Sequence, residues 1–178
     1  MDFKAFIRDV PDFPKQGIVF KDITPLLMHA NALKGATDAL FEMVGHQRVD
    51  KVVGVDSRGF IFAPLLAHKL NAGFVPVRKK GKLPSDTLGV SYDLEYGTDS
   101  LEIHTDAILK GERVLVHDDV LATGGTAAAV CDLVERLGGE IVQCNFIIHL
   151  GFLGGAHKLP GQDIKSLITY WSSALLVT

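Results

Sequence analysis

The chain has 178 residues, 47% of them hydrophobic, enough for one α/β domain over 1–178 with a substantial core. Its net charge of −3 offers no basic footprint for nucleic acid, no apolar run reaches membrane-spanning length, and the N-terminus lacks a signal-peptide pattern, so a cytoplasmic protein is expected. Cys131 and Cys144 lie in apolar segments without metal-ligand spacing and read as reduced core thiols. In chain order, Phe3, Phe6, Ile7 and Val10 recur at helical spacing, which predicts a short amphipathic helix over 2–10, ended by Pro11. Residues 11–17 form a stiff, turn-rich segment, and 18–23 read as a strand. Phe20 on that strand either fills core or caps a planar ligand.

Leu33, Ala36, Leu40, Phe41 and Val44 mark a helix over 31–44, with Gly45 as its stop. Residues 51–56 read as a strand, Ser57-Arg58-Gly59 as a turn, 60–70 as a helix with Pro64 near its first turn, and 74–78 as the next strand. That is a βαβ pattern, hence a parallel sheet with right-handed crossovers. Residues 81–105 are long for a connection and sparse in apolar positions until Leu101 and Ile103, as expected of a lid or an excursion hairpin.

The most informative stretch is 113–126. The apolar run Arg113-Val114-Leu115-Val116-His117 reads as a buried strand, ended by two carboxylates, Asp118 and Asp119. The loop Ala122-Thr123-Gly124-Gly125-Thr126 follows, then apolar positions at helical spacing, with Gly138-Gly139 as the stop. Glycines let successive N–H groups converge on one anion, the helix adds its N-terminal dipole, and Thr123 and Thr126 add hydroxyls. A phosphate monoester fits this cradle. Asp118 and Asp119 cannot take phosphate; they can accept from a sugar diol or face a metal. Donors beside acceptors suit a ribose 5-phosphate. Beyond it, 140–148 read as a strand, 151–157 as a loop and 164–170 as a last strand. The seven histidines show no metal-ligand pattern, and His117 and His149 read as core or edge histidines.

Ligands of an open α/β sheet bind beyond the carboxyl ends of its strands. Here those ends carry Asp56-Ser57-Arg58, Arg78-Lys79-Lys80 with Lys82 nearby, and Asp118-Asp119. A cationic rim beside a phosphate cradle suits a ligand with two separate anions, and the planar fork of Arg58 suits a diphosphate.

The run of hydrophobics, two acids and Thr-Gly-Gly-Thr resembles the phosphoribosyl-diphosphate (PRPP) motif of type I phosphoribosyltransferases. Pro-Asp-Phe-Pro with Gly-Ile-Val-Phe-Lys-Asp-Ile-Thr-Pro, Asp-Ser-Arg-Gly-Phe-Ile-Phe, Val-Arg-Lys-Lys-Gly-Lys-Leu-Pro and Leu-Glu-Tyr-Gly are similar to segments of adenine phosphoribosyltransferases. Ala63 departs from the pattern, because the family often has glycine there. The resemblance implies a central, mostly parallel sheet flanked by helices, an N-terminal hood over about 1–30 and a flexible lid over about 81–105. It implies transfer of the 5-phosphoribosyl group from PRPP to N9 of adenine, giving AMP and pyrophosphate, with Mg²⁺ bound through PRPP rather than by assigned side chains. By position, Phe20 stacks on adenine while the backbones of Val19 and Lys21 read its edge. Glu95 takes the purine proton, and Tyr96 approaches the reacting centre or the leaving group. Asp118 and Asp119 hold the ribose, Ala122, Thr123, Gly124, Gly125 and Thr126 hold the 5-phosphate, and Arg58, Arg78, Lys79 and Lys82 handle pyrophosphate. Glu102 is the nearest rival acid to Glu95. The basic cluster implies a homodimer. A PRPP-sensing transcriptional regulator is the alternative from another class, and a 6-oxopurine transferase is the alternative among enzymes.

Overall fold

The apolar runs become the middle strands of one sheet in a computed structural model of the chain, which describes residues 1–93 and 98–172. The strands are β3 (Lys51–Val55), β4 (Gly73–Lys79), β5 (Thr87–Asp93), β6 (Thr98–His104), β7 (Arg113–Leu121), β8 (Glu140–Leu150) and β9 (Ile164–Tyr170). They lie in the order β5-β6-β4-β3-β7-β8-β9. The five from β4 to β9 are parallel, and β5 and β6 add an antiparallel edge. The connection expected over 81–105 is therefore largely a hairpin, with Leu101 and Ile103 of β6 buried in the core.

Helices α2 (Ala30–Val44) and α3 (Gly59–Leu70) cover one face, packing Leu40, Phe62 and Leu66 against Val52, Leu115 and Ile147. Helix α4 (Gly125–Arg136) covers the other, packing Val130, Leu133 and Val134 against Val53, Val116 and Phe146. Helix α2 stops at Gly45, whose φ of 65° is comfortable for glycine. Pro64 is the sixth residue of α3, inside the helix rather than in its first turn. Its side chain is exposed, so the ring meets solvent where the helix loses one backbone bond. Ala63 is buried against β3, where Gly54 leaves the space: a Cβ on Gly54 would lie 2.7 Å from that of Ala63. The departure at Ala63 is matched by the residue opposite.

The N-terminus differs from the expected helix over 2–10. Only Phe3–Phe6 form a turn of 3-10 helix, and Arg8–Pro11 form a strand, β1. Strand β1 pairs antiparallel with β2 (Val19–Asp22), Val10 opposite Phe20. Four residues are too few to sustain a helix alone, and the ladder to β2 satisfies the backbone instead. A short helix, α1 (Thr24–Met28), joins this ribbon to α2. Lys21 anchors the ribbon: its ammonium is 2.7 Å from Asp9 and 4.3 Å from the ring centre of Tyr170 on β9.

Candidate active site

Asp118 and Asp119 lie inside β7, not at its end, because the ladder to β8 continues to Leu121. Pairing on the β3 side stops earlier, at Gly54 opposite His117. The two carboxylates therefore stand just past the point where β7 loses one neighbour. Asp118 Oδ1 accepts from the Asp119 N–H at 2.8 Å. It sits against the start of α3, where a Cβ on Gly59 would come within 3.0 Å of it. Asp119 is 3% exposed, and its Oδ2 lies 2.9 Å from Arg58 Nε. That ion pair is not aligned as a hydrogen bond, so Oδ2 remains a buried acceptor without a donor. Burial and the neighbouring negative charge push Asp118 well above the usual carboxylate range. Burial also raises Asp119, against the pull of Arg58. The pair is a strong unmet acceptor for hydroxyls or a cation.

The hood meets this acid pair through Arg58. Its guanidinium lies 4.9 Å from the ring centre of Phe20, and the Phe13 ring packs edge-on to Phe20 at 5.2 Å. Phe20, Arg58 and Asp119 thus form one contiguous line from aromatic face to carboxylate. Alternation along β2 sends Lys21 toward Tyr170 and leaves Phe20 toward the site. Val19 and Lys21, two apart, direct their backbone groups to the same edge of the ribbon.

The remaining cations are less concentrated than the sequence implies. Arg78 is held by Asp56, Nε to Oδ2 at 3.0 Å, and its Nη1 donates to the Lys82 carbonyl. It also lies 6.0 Å from the ring centre of Phe60. Lys79 pairs with Asp99 at 3.0 Å, which raises its pKa. Lys82 is exposed and has no ion pair among the described residues. Glu102 accepts from the Gly81 N–H at 2.9 Å, so this second hairpin acid is engaged in the turn that carries the cations. Glu95 and Tyr96 lie outside the described residues.

The loop from Ala122 to Thr126 connects β7 to α4, with Gly124 at φ 79° as the residue before the helix. No L side chain suits that conformation, and the space is already taken: a Cβ there would strike the Gly155 carbonyl. Reciprocally, a Cβ on Gly155 would strike the Ala122 carbonyl. Two glycines from separate segments therefore let the loop and the 3-10 turn Gly155–Lys158 lie backbone to backbone. Thr126 Oγ1 donates to Tyr92 Oη of β5 at 3.3 Å. Gly59, Gly155 and Tyr92 escape sequence reading because each matters through a contact distant along the chain; the Gly154-Gly155 pair is the one local sign.

His117, next to the acids, is buried with Nδ1 2.8 Å from Asn145 Oδ1, and burial lowers its pKa to about 4. It is a neutral core histidine at neutral pH, as its apolar strand implies. Cys131 and Cys144 are free, their sulfurs 3.7 Å apart, and the shared proton and burial raise Cys144.

The phosphoribosyl transferase domain family matches residues 22–159. An adenine phosphoribosyltransferase from Christiangramia forsetii is 61% identical over 170 residues, which is 96% of this chain and 99% of that protein. A crystal structure of the adenine phosphoribosyltransferase from Thermoanaerobacter pseudethanolicus superposes with a TM-score of 0.93 at 51% identity, covering 95% of this chain and 98% of that one. The Saccharomyces cerevisiae enzyme, solved with an imino-altritol bisphosphate and adenine, gives 0.88 at 40% identity, covering 93% and 96%.

Proposed function

The chain belongs to the phosphoribosyl transferase domain family and, within it, to the adenine phosphoribosyltransferases, and from that premise we propose how its residues divide the work. The reaction is transfer of the 5-phosphoribosyl group from PRPP to adenine, giving AMP and pyrophosphate. The observation that carries the division is the line from Phe20 through Arg58 to Asp119. It brings an aromatic face, a planar cation and a buried acceptor into one site, the three kinds of group that base, diphosphate and ribose need.

In this reading adenine stacks on Phe20, and the exposed edge formed by the Val19 and Lys21 backbones matches its amine donor and ring-nitrogen acceptor. The loop from Ala122 to Thr126 holds the 5-phosphate at the start of α4. Asp118 and Asp119 accept from the ribose hydroxyls, which ends the like-charge conflict of the ligand-free pair. Arg58 moves from Asp119 to the diphosphate, assisted by Arg78, Lys79 and Lys82. The bond from the anomeric carbon to pyrophosphate breaks as adenine N9 attacks, and positive character builds on the ribose, beside the two carboxylates. Glu95 accepts the proton that the purine loses, with Tyr96 near the leaving group. The hairpin of β5 and β6 acts as the lid that excludes water from the reactive sugar.

Mg²⁺ suits this donor set. Asp119 Oδ2 is a buried oxygen without a hydrogen bond, and paired carboxylates are hard oxygen ligands. Asp118 and Asp119 would meet the ion through the ribose hydroxyls, and when bound it neutralises charge on the departing diphosphate.

The functional form is a homodimer in the cytoplasm. Phe74 and Leu65 are 37% and 40% exposed. Phe60 packs edge-on to Phe74, and Arg78 reaches Phe60. This apolar surface with a cation at its margin fits a second copy of the chain.

The test is pyrophosphate release from PRPP and Mg²⁺ with adenine, hypoxanthine, guanine, xanthine or uracil supplied separately. Release with adenine alone is expected. Release with another base would remove the selectivity assigned to the hood and leave the phosphoribosyl site in place.

A further inference from the structure

A phosphate cradle needs hydrogens pointing inward, and one of its hydroxyls points elsewhere. Thr126 Oγ1, at the first turn of α4, donates its proton to Tyr92 Oη at 3.3 Å. In that orientation it turns lone pairs, not a proton, toward the loop. Tyr92 Oη accepts this bond and donates none among the described residues, so the phenol proton is unspent. The Tyr92 ring packs, half-buried, against the core cluster under α4, which keeps the hydroxyl beside Thr126.

We propose that Tyr92 is a positioning residue of the 5-phosphate site: its hydroxyl turns the Thr126 proton toward the phosphate and holds it there. The inference rests on the reading of Ala122 to Thr126 as the phosphate loop. When the anion arrives, both hydroxyls rotate. With a small shift of the Tyr92 ring that brings its O–H into line, Tyr92 O–H donates to Thr126 Oγ1, and Thr126 O–H donates to a phosphate oxygen. No bond other than hydrogen bonds changes. Two hydroxyls in series polarise one another, so the terminal donor is stronger than a free threonine. Phenylalanine at position 92 keeps the ring and its packing but leaves Thr126 an unguided rotor. The partner comes from β5, so a residue of the hairpin takes part in binding the far end of the ribose phosphate. The effect is confined to ligands that carry the 5-phosphate.

The experiment compares AMP with adenosine, by direct binding, in Tyr92→Phe, Thr126→Val, Thr126→Ser and the Tyr92→Phe/Thr126→Val pair. Tyr92→Phe should weaken AMP by about three- to tenfold, the range of one lost hydrogen bond. Adenosine affinity and Tm should stay at the parent values. Because Tyr92 acts through Thr126, the double variant should bind AMP no worse than Thr126→Val alone, and Thr126→Ser should bind close to the parent. Loss of AMP affinity in Thr126→Val with none in Tyr92→Phe overturns the role of Tyr92 and leaves the phosphate loop standing. Parent-like AMP binding in every variant overturns the phosphate-loop reading as well. Equal weakening of AMP and adenosine in Tyr92→Phe also overturns the proposal, because it assigns Tyr92 to general support of the hairpin.

Discussion

Asp118 and Asp119 are held in a state that favours a ligand over the empty site. Burial and mutual repulsion raise Asp118 in the fold relative to the unfolded chain. A carboxyl raised in this way helps the fold when protonated. Below about pH 4 it carries no penalty, and the penalty grows as pH climbs through the raised folded value. Asp118→Asn keeps the oxygen that accepts from the Asp119 N–H but removes the charge. Its Tm at pH 7 should rise by about 2–5 °C, on the scale of roughly one kcal/mol for a chain of this size. The gain should vanish near pH 4, while PRPP binding at pH 7 falls. A Tm at or below the parent at pH 7 would contradict the strained pair. Which residue types stand here was legible from the sequence, because strand, acid pair and loop are consecutive. That Arg58 would lie between Phe20 and Asp119 was not, since these residues are separated by long stretches of chain and meet only through the sheet order.

At the scale of elements, the proposed phosphate loop depends on a segment whose sequence reads as a plain loop. The turn at Gly155 lies backbone to backbone with Ala122 and Gly124, leaving no room for a methyl on either glycine. Gly155→Ala should push the loop off its position and weaken AMP and PRPP together by about tenfold to a hundredfold, with adenine selectivity kept. Binding isotherms for both ligands would show it; AMP affinity equal to the parent would mean that the turn does not support the loop. The N-terminal segment teaches the opposite lesson. The spacing of Phe3, Phe6 and Ile7 is truly helical, but so short a helix yields to a ladder that becomes available only once 19–22 are in place. Periodicity was reliable where a long segment packed against the sheet, as in α2 and α4, and failed where the partner was another short strand.

For the whole molecule, the doubly covered sheet explains why the βαβ pattern was readable throughout. The central parallel strands β3, β7 and β8 are buried on both faces, so their apolar runs are nearly continuous. What the pattern leaves uncovered is the surface of Phe60, Leu65 and Phe74 on α3 and β4. If a second copy covers it, Phe74→Asp should convert a dimer to a species of about half the mass in sedimentation at micromolar concentration, because a buried unpaired charge opposes the interface. A parent protein that sediments as a monomer would remove the dimer from the reading.

On the proposed roles of Phe20 and Asp119, the contact of Arg58 with both makes the ligand-free protein a competitor of its own substrates. Only molecules in which the guanidinium has left offer an open aromatic face and a free carboxylate, and apparent affinity falls in proportion to that fraction. Arg58 is 42% exposed along its side chain, so added salt weakens its hold and enlarges the open population. For adenine, which is uncharged, that is the main effect. For PRPP, the same salt screens several anions from the cations that receive them. Raising ionic strength should therefore tighten adenine and loosen PRPP, two opposite slopes from one arginine, readable in a single series of titrations.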